Sequence, residues 1–422
     1  VALDADAGTL VFYKNGSSQG TAFTGLTNGP YFPAIADSSG TNSFDGVVNF
    51  GQRSFTHSAP SNHKCLCTTN LPTPTIADGS AHFDALLYTG DGQSSKAVTG
   101  YGFSPDFLWI KERSSSSDHG LWNTVVGSGK YMSSNTNASE YTTTIELSSI
   151  DSAGFTVGSS GMTNQSSQTY VAWAWDAGSS TVSNTDGSIT SNVRANQSAG
   201  FSIVSYTGNG SSASIGHGLN DAPQMIILKD RNASAKWKVL HIGAVSGSYA
   251  YYQNVLHLNT NETFTGTGNN YPWGGTAPTS TVFSVGNIGT EANRSGSISG
   301  TNYIAYCFAP VEGYSAFGSY TGDSSGPFVF TGHSPAWVMI KRTDSSNSWV
   351  IYDTARDTYN IGGRRLYAEV SDSEGQNTSH HIDILSNGFK VRSPAGNLLN
   401  ASNGTYIWAS FASSPFKTAR AR

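Results

Sequence analysis

Residues 313–342 read GYSAFGSYTGDSSGPFVFTGHSPAWVMIKR, and this stretch decides how the chain is organised. An aromatic-rich run ends in Tyr-Thr-Gly, a polar turn follows, and an apolar run after a proline closes on basic residues. The same order recurs upstream in residues 83–113 and 201–231, where the runs are FDALLYTGDG with GFSPDFLWIKER and FSIVSYTGNG with GLNDAPQMIILKDR. The three triplets begin at Tyr88, Tyr206 and Tyr320, at spacings of 118 and 114 residues. This recurrence predicts a three-repeat protein.

The composition excludes several classes of function. Charged residues make up 12% of the 422 residues, against roughly 25% in average globular proteins. A net charge of −5 argues against a nucleic-acid surface. No apolar run approaches the roughly 20 residues of a membrane span. We therefore expect neither nucleic-acid binding nor membrane insertion.

The repeats predict an all-β fold of tandem antiparallel β-sandwich domains, jelly-roll or concanavalin-like in type. Each repeat holds at least five short β-type runs separated by Gly, Ser and Asn turns, which is typical of sandwiches. The closing runs, such as Tyr170–Trp175, alternate so that both faces carry large side chains, as a strand between a core and a neighbour would. At about 110 residues each repeat is large enough for its own core, so we expect three sandwiches in a row. The predicted divisions are 1–55, a linker 56–81, repeat 1 at 82–177, a linker 178–197, repeat 2 at 198–311 and repeat 3 at 312–422.

The sequence predicts no catalytic residues, no metal site and no cofactor. No hydrolase motif with supporting context is present, no pair of acids recurs at matched positions of the repeats, and phosphate-binding glycine loops need a strand-to-helix junction that this chain does not offer. Two patterns leave a metal open. The connector holds His57, His63, Cys65 and Cys67, which could bind zinc. Cys-x-Cys with these histidines does not match the usual zinc spacing, so thiols packed under a linker are the favoured explanation. The turns at Asp91 and Asp323 could bind calcium, but Asn209 occupies the matching place in repeat 2, and a hairpin turn explains all three.

Lys111, Lys229 and Lys341 occupy one position in all three repeats. They could form a ligand-binding row. Alternatively, each could end a strand, with its aliphatic stem on apolar surface and its ammonium in water.

Repeat 2 carries an additional segment, Thr263–Thr281, with Tyr271 and Trp273 among Gly, Asn and Pro. Aromatic residues on a polar loop suit sugar stacking or a subunit contact, so these two are the candidate ligand-binding residues. The alternative is that Trp273 folds back to fill its own repeat.

The N-terminal segment resembles a known family. VALDADAGTLVFYKNG, AFTGL, YFPAIA and VVNFGQRSF are similar to the second half of a SPRY domain, over about 55 residues, with an Asn15-Gly16 hairpin turn. The first half of that sandwich is missing from these residues. We therefore expect strands from elsewhere, either an upstream segment or a neighbouring chain, to complete the sheet.

The SPRY-like segment, the repeats, YDTARDTYN and SSPFKTARAR together resemble virion proteins of marine tailed bacteriophages. This resemblance implies a non-enzymatic tail fibre, spike or capsid fibre on the virion surface, in contact with other virion proteins and recognising host surface glycan. A purely structural capsid decoration is one alternative. A glycan depolymerase is another, with Glu112, Glu140, Glu146 and Asp118 as the available acids. Aromatic residues on both strand faces further predict a homo-oligomer, with three chains as the expected number.

Overall fold

A computed structural model describes the chain except residues 27–30, 32, 36–45, 246–249, 267–271, 287–291, 294–299, 324, 377–378, 394–395, 397 and 420–422. It confirms the all-β prediction, with 42% strand and 3% helix. The chain divides into two compact units, Val1–Thr73 and Pro74–Arg422.

The first unit holds one antiparallel sheet in the order β1-β2-β3, formed by β1 (Ala2–Asp4), β2 (Thr9–Lys14) and β3 (Ser17–Phe23). Asn15 and Gly16 both have positive φ, 51° and 81°, so the predicted Asn-Gly turn joins β2 to β3. Residues 47–51 are irregular. A 3-10 turn lies at Thr68–Asn70.

The second unit contains the three repeats. Repeat 1 comprises β4 (Phe83–Thr89), β5 (Lys96–Thr99), β6 (Phe107–Glu112), β7 (Gly120–Asn123), β8 (Lys130–Tyr131), β9 (Tyr141–Thr142), β10 (Leu147–Asp151), β11 (Gly154–Val157), a one-turn α1 (Gly161–Asn164) and β12 (Thr169–Trp175). Between repeats 1 and 2 lie β13 (Thr181–Asn184) and β14 (Ser191–Asn196). Repeat 2 comprises β15 (Phe201–Thr207), β16 (Ala213–Gly216), β17 (Met225–Asp230), β18 (Lys238–His241), β19 (Asn254–His257), β20 (Thr265–Gly266), β21 (Val282–Val285) and β22 (Asn302–Phe308). Repeat 3 comprises β23 (Ser315–Thr321), β24 (Phe328–Phe330), β25 (His333–Arg342), β26 (Trp349–Asp353), β27 (Arg364–Tyr367), β28 (Gly375–Gln376), β29 (Ile382–Leu385), β30 (Gly388–Val391) and β31 (Thr405–Pro415). Two further 3-10 turns lie at Gly79–Ala81 and Tyr251–Gln253.

The three repeats share one topology. Their larger sheets contain β4-β12-β6-β7, β15-β22-β17-β18 and β23-β31-β25-β26, so the closing strand always lies between the first and second long strands. A smaller sheet covers one face in each repeat, in the orders β10-β11-β5, β16-β21 and β24-β30-β29. The tyrosine of each Tyr-Thr-Gly triplet stacks on the first tyrosine of its closing strand, with centroid distances of 4.9 Å (Tyr88–Tyr170), 5.1 Å (Tyr206–Tyr303) and 4.8 Å (Tyr320–Tyr406).

The repeats differ from a row of separate sandwiches because they also share a core. Each has its own buried cluster, and a fourth cluster draws residues from all three larger sheets. At equivalent places on the closing strands, Trp175, Phe308 and Phe411 contact one another, with centroids 5.6–6.4 Å apart. The outward faces of the closing strands are therefore buried against other repeats of the same chain.

Residues 178–197, expected to be a linker, form part of the fold. β13 pairs with β14, and β14 pairs with β15, so both strands extend the larger sheet of repeat 2. That sheet reaches eight strands, against four in repeat 1 and six in repeat 3. This added edge makes the boundary between repeats 1 and 2 different from the other two.

Candidate functional site

The recurring lysines lie inside the boundaries between repeats. Lys111, Lys229 and Lys341 are fully buried, and each Nζ donates to the carbonyl of the next residue at 2.6, 2.8 and 2.7 Å. Lys229 Nζ also lies 3.4 Å from the backbone carbonyl oxygen of Asn137 in repeat 1, and Lys341 Nζ lies 3.2 Å from the backbone carbonyl oxygen of Asn261 in repeat 2. The lysines are neither a ligand-binding row nor strand ends with the ammonium in water, because each ammonium binds backbone carbonyls inside the protein.

Eight residues after each lysine, a ring nitrogen makes a hydrogen bond across the same boundary. Trp237 Nε1 donates to the carbonyl of Ser133, and Trp349 Nε1 to that of His257, both at 2.9 Å. At the third boundary His119 Nδ1 accepts from Trp109 Nε1, which leaves the protonated Nε2 to donate to the carbonyl of Tyr367 at 2.9 Å. Repeat 2 thus contacts repeat 1, repeat 3 contacts repeat 2, and repeat 1 contacts repeat 3, so the three repeats form a closed ring.

Ion pairs stabilise two of these boundaries. Arg231 makes a bidentate pair with Glu140, with N–O distances of 2.7 and 3.1 Å, and Arg113 pairs likewise with Glu374 at 2.9 and 2.9 Å. Glu374 also lies 3.3 Å from the buried Arg356, which is 2.5 Å from Asp353 within repeat 3. Such fully partnered charges indicate a structural network, since a buried ion is tolerated only when it is paired and hydrogen-bonded.

A cleft of about 440 Å³ opens at the boundary between repeats 1 and 2. One wall is formed by Val125, Val126 and Lys130 after β7 of repeat 1. The other wall follows the added strand β14 and its neighbours, with Thr190, Asn192, Ser205, Tyr206, Thr207, Arg231 and Asn302. Because β14 belongs to the former linker, this wall has no equivalent strand in the larger sheets of repeats 1 and 3 as far as they are described.

The cleft presents neutral polar groups beside two cations. Thr190 and Asn192 are exposed, and no hydrogen bond joins their side chains to another described residue. Thr207 Oγ1 donates to Asn302 Oδ1 at 3.0 Å. At one end the two bases in the lining share Glu140, because Lys130 Nζ lies 3.4 Å from its carboxylate and Arg231 pairs with it. Free amides and hydroxyls with one excess positive charge can bind a polyhydroxylated ligand by hydrogen bonds.

Of the two aromatic residues chosen from the sequence, Trp273 is described and does not line this cleft. Tyr271 lies outside the described residues. Trp273 is 1% exposed and packs in the core of repeat 2 with Phe283 and Val285. Its ring therefore has no free face for a sugar, and the side chain fills its own repeat. The cleft was missed because β14 carries no repeated motif, and its polar residues resemble those of any linker.

Of the four candidate acids for a depolymerase, Glu140 and Asp118 are engaged by other side chains, and Glu146 Oε2 is buried without a hydrogen-bond partner among the described residues. Glu112 is buried, and burial raises its pKa. Glu140 is held by Arg231, and Asp118 accepts from Asn135 Nδ2 at 2.6 Å. Among the described residues no three His, Cys, Asp or Glu side chains are placed to hold a metal ion, and this part of the chain includes His57, His63, Cys65 and Cys67.

The turns considered for calcium are closed by hydrogen bonds within the protein. Asp91, Asn209 and Asp323 each accept from a backbone amide two residues ahead, at 2.9, 2.9 and 2.7 Å. Their own backbone amides donate to the side chains of Asn164, Asn293 and Asn400 at 2.9, 2.9 and 2.7 Å. An amide oxygen makes these bonds as well as a carboxylate, which explains why Asn209 replaces aspartate.

The fold and its boundaries define a class: an all-β protein in which three sandwich repeats close into one unit, and a smaller β unit precedes them in the sequence. The profile of the SPRY domain matches residues 1–53. The profile described as Domain of unknown function (DUF7483) matches residues 78–415, which span all three repeats, so the chain belongs to the DUF7483 family. Comparisons with curated proteins and with solved structures gave no match. No helix among the described residues is long and apolar enough to cross a membrane.

Proposed function

We propose that this protein is a non-enzymatic appendage of a bacteriophage particle that binds host surface glycan in the cleft between repeats 1 and 2. The sequence resemblance to marine phage virion proteins motivates the location, as a tail fibre, spike or capsid fibre on the virion surface. The closed ring of repeats suits display, because a rigid framework leaves its loops and edges free to carry recognition.

One observation carries the binding proposal. The cleft is lined by amide and hydroxyl side chains, of which Thr190 and Asn192 have no partner among the described residues. Sugars present hydroxyl groups that both donate and accept, so such side chains match them.

A purely structural role is the second candidate, and the paired charges at the repeat boundaries favour it. Arg113, Arg231 and Arg356 are each engaged by carboxylates of the same unit. A scaffold that decorates a capsid needs that rigidity and no ligand site.

Glycan-array binding followed by calorimetry on the best glycan tests the proposal. Asn192→Ala should weaken binding about fivefold, since one net hydrogen bond contributes about 1 kcal/mol. Asn220→Ala is the control, because Asn220 is an exposed asparagine of repeat 2 that does not line the cleft. Equal affinities for the two variants would place the ligand elsewhere. Absence of any glycan binding would favour the structural role, and release of oligosaccharide products would indicate a depolymerase.

A further inference from the structure

Cys65 and Cys67 are brought together by a tight turn in the first unit. The amide of Cys67 donates to the carbonyl of Cys65 at 2.9 Å, so the backbone folds over the single residue Leu66. The turn places the two Sγ atoms 3.3 Å apart. In an extended strand, residues two apart point to the same face but lie almost two residue rises apart, about 6.6 Å along the strand.

The polar groups around the pair shift the pKa values of the two thiols in opposite directions. Thr69 Oγ1 lies 3.0 Å from Cys67 Sγ, and Asn70 Nδ2 donates to Cys65 Sγ at 3.0 Å and to Cys67 Sγ at 3.3 Å. The hydrogen bond with Thr69 lowers the pKa of the Cys67 thiol, and the hydrogen bond with Cys65 lowers it further. The same contact with Cys67 raises the pKa of Cys65. Cys67 is therefore the more acidic thiol of the pair, and its thiolate would be stabilised by a hydrogen bond from Cys65.

Gly51 leaves room for the pair. A Cβ at this position would lie 2.8 Å from Cys65 Sγ, and the φ of Gly51 is +114°. The sulfur thus rests against backbone that only glycine provides.

A metal ion fits the pair less well than a disulfide does. No third His, Cys, Asp or Glu joins the two thiols within the described residues, whereas zinc takes four ligands. A linear two-coordinate metal would hold the sulfurs about 4.6 Å apart, twice a bond of roughly 2.3 Å. A disulfide draws them together to about 2.05 Å, in the direction that the turn already imposes.

We propose that Cys65 and Cys67 form a thiol–disulfide exchange site, with Cys67 as the attacking thiolate and Cys65 as the resolving thiol, acting on disulfides of small thiol compounds. Cys67 Sγ attacks one sulfur of the disulfide RS–SR, a Cys67–SR bond forms, and RS⁻ leaves. Cys65 then loses its proton to water and attacks Cys67 Sγ, which forms the Cys65–Cys67 bond and releases the second RS⁻. Two protein thiols are oxidised, one disulfide is reduced, and the released thiolates take up protons to give two RSH.

Cys307 is an internal control. It is fully buried in the core of repeat 2, and burial raises the pKa of its thiol. It has neither the exposure nor the thiolate character that exchange requires.

The test treats the full chain with glutathione disulfide and follows each cysteine by peptide mass spectrometry. The wild-type protein should lose two hydrogen atoms from the peptide carrying Cys65 and Cys67, while Cys307 stays reduced. Cys65→Ser should stop at a glutathione adduct on Cys67, and Cys67→Ser should react far more slowly at Cys65. Thr69→Val should slow the reaction of Cys67 about threefold for each unit by which its pKa rises, because greater nucleophilicity offsets part of the thiolate lost.

Two outcomes would overturn the proposal. One is a stable glutathione adduct on wild-type Cys67, since Cys65 would then not resolve it. The other is wild-type protein that stays reduced in excess glutathione disulfide. Circular dichroism of each serine variant against the wild type separates lost chemistry from lost folding.

Discussion

At the scale of single residues, the buried lysines make the free energy of unfolding depend on pH. Burial lowers the pKa of both Lys111 and Lys341 from 10.5 to about 8. Between pH 8 and 10.5 the folded state therefore holds fewer protons on these groups than the unfolded state, so their contribution to the free energy of unfolding rises with pH. Below pH 8 the full cost of burying the ammonium remains.

We expect this rise to be about 1–2 kcal/mol per lysine between pH 7.5 and 9.5. It should shrink in Lys111→Met and in Lys341→Met, as measured by urea unfolding at several pH values. Comparison with the wild type cancels the opposing effect of Cys307, whose raised thiol pKa lowers stability in this range. Lys236→Met is the control, since its side chain is 40% exposed. If Lys111→Met or Lys341→Met kept the wild-type dependence of unfolding free energy on pH, the lowered pKa of that lysine would be contradicted.

Residue roles were predictable where a local rule acts alone. The Asn15-Gly16 turn follows from glycine and asparagine tolerance of positive φ, and it was found. The lysines were recognised as equivalent, but their burial was not, because a Lys beside Glu112, Asp230 or Arg342 has the sequence of a strand end. Only the packing of neighbouring repeats places their ammonium groups inside.

At the scale of elements, the closing strands explain why both faces are apolar. On β12, Tyr170, Ala172 and Ala174 pack in the core of repeat 1, while Val171, Trp173 and Trp175 pack in the shared core. The alternation was predictable, and so was the need for a neighbour. The neighbour's identity was not, because an apolar face is satisfied equally by another repeat or by another chain.

Phe308 tests the shared core. Phe308→Ala should lower the free energy of unfolding by about 3–5 kcal/mol, because the ring is 2% exposed and contacts Trp175 and Phe411. Phe330→Ala, at a ring that is 59% exposed on β24, should stay within about 0.5 kcal/mol of the wild type. Denaturant unfolding followed by tryptophan fluorescence measures both. Similar losses for the two variants would show that the aromatic trio does not hold the repeats together.

The added strands β13 and β14 show the limit of repeat-based prediction. Residues 178–197 have no counterpart in the other repeats, so a repeat comparison assigned them to a linker. The pairing of β14 with β15 depends on a free edge of the repeat 2 sheet, which only the folded repeat supplies. The same edge forms a wall of the cleft, so comparison of the repeats did not predict the candidate site.

At the scale of the whole molecule, the threefold arrangement expected between chains occurs within one chain. The aromatic faces that motivated a homotrimer are buried among the three repeats. Assembly of several chains stays a prediction, now without that support. Light scattering measures it, and a monodisperse mass near 44.5 kDa would contradict it.

The shared core has a consequence for how the second unit unfolds. If the repeats were independent, a cavity in the core of repeat 1 would loosen that repeat alone. Because Trp175, Phe308 and Phe411 contact one another and hydrogen bonds close the ring, opening one repeat exposes apolar surface on the other two. The free energy that protects each repeat is then common to all three.

We therefore expect Phe155→Ala, a cavity in the core of repeat 1, to weaken protection in every repeat equally. Hydrogen exchange of backbone amides in Thr169–Trp175, Asn302–Phe308 and Thr405–Pro415 measures this, because each closing strand is buried along most of its length and pairs with a strand on both sides. Phe12→Ala in the first unit is the control and should leave all three unchanged, since Phe12 is 42% exposed and lies outside Pro74–Arg422. Loss of protection confined to Thr169–Trp175 would mean that the repeats fold separately, and that their contacts are too weak to couple them.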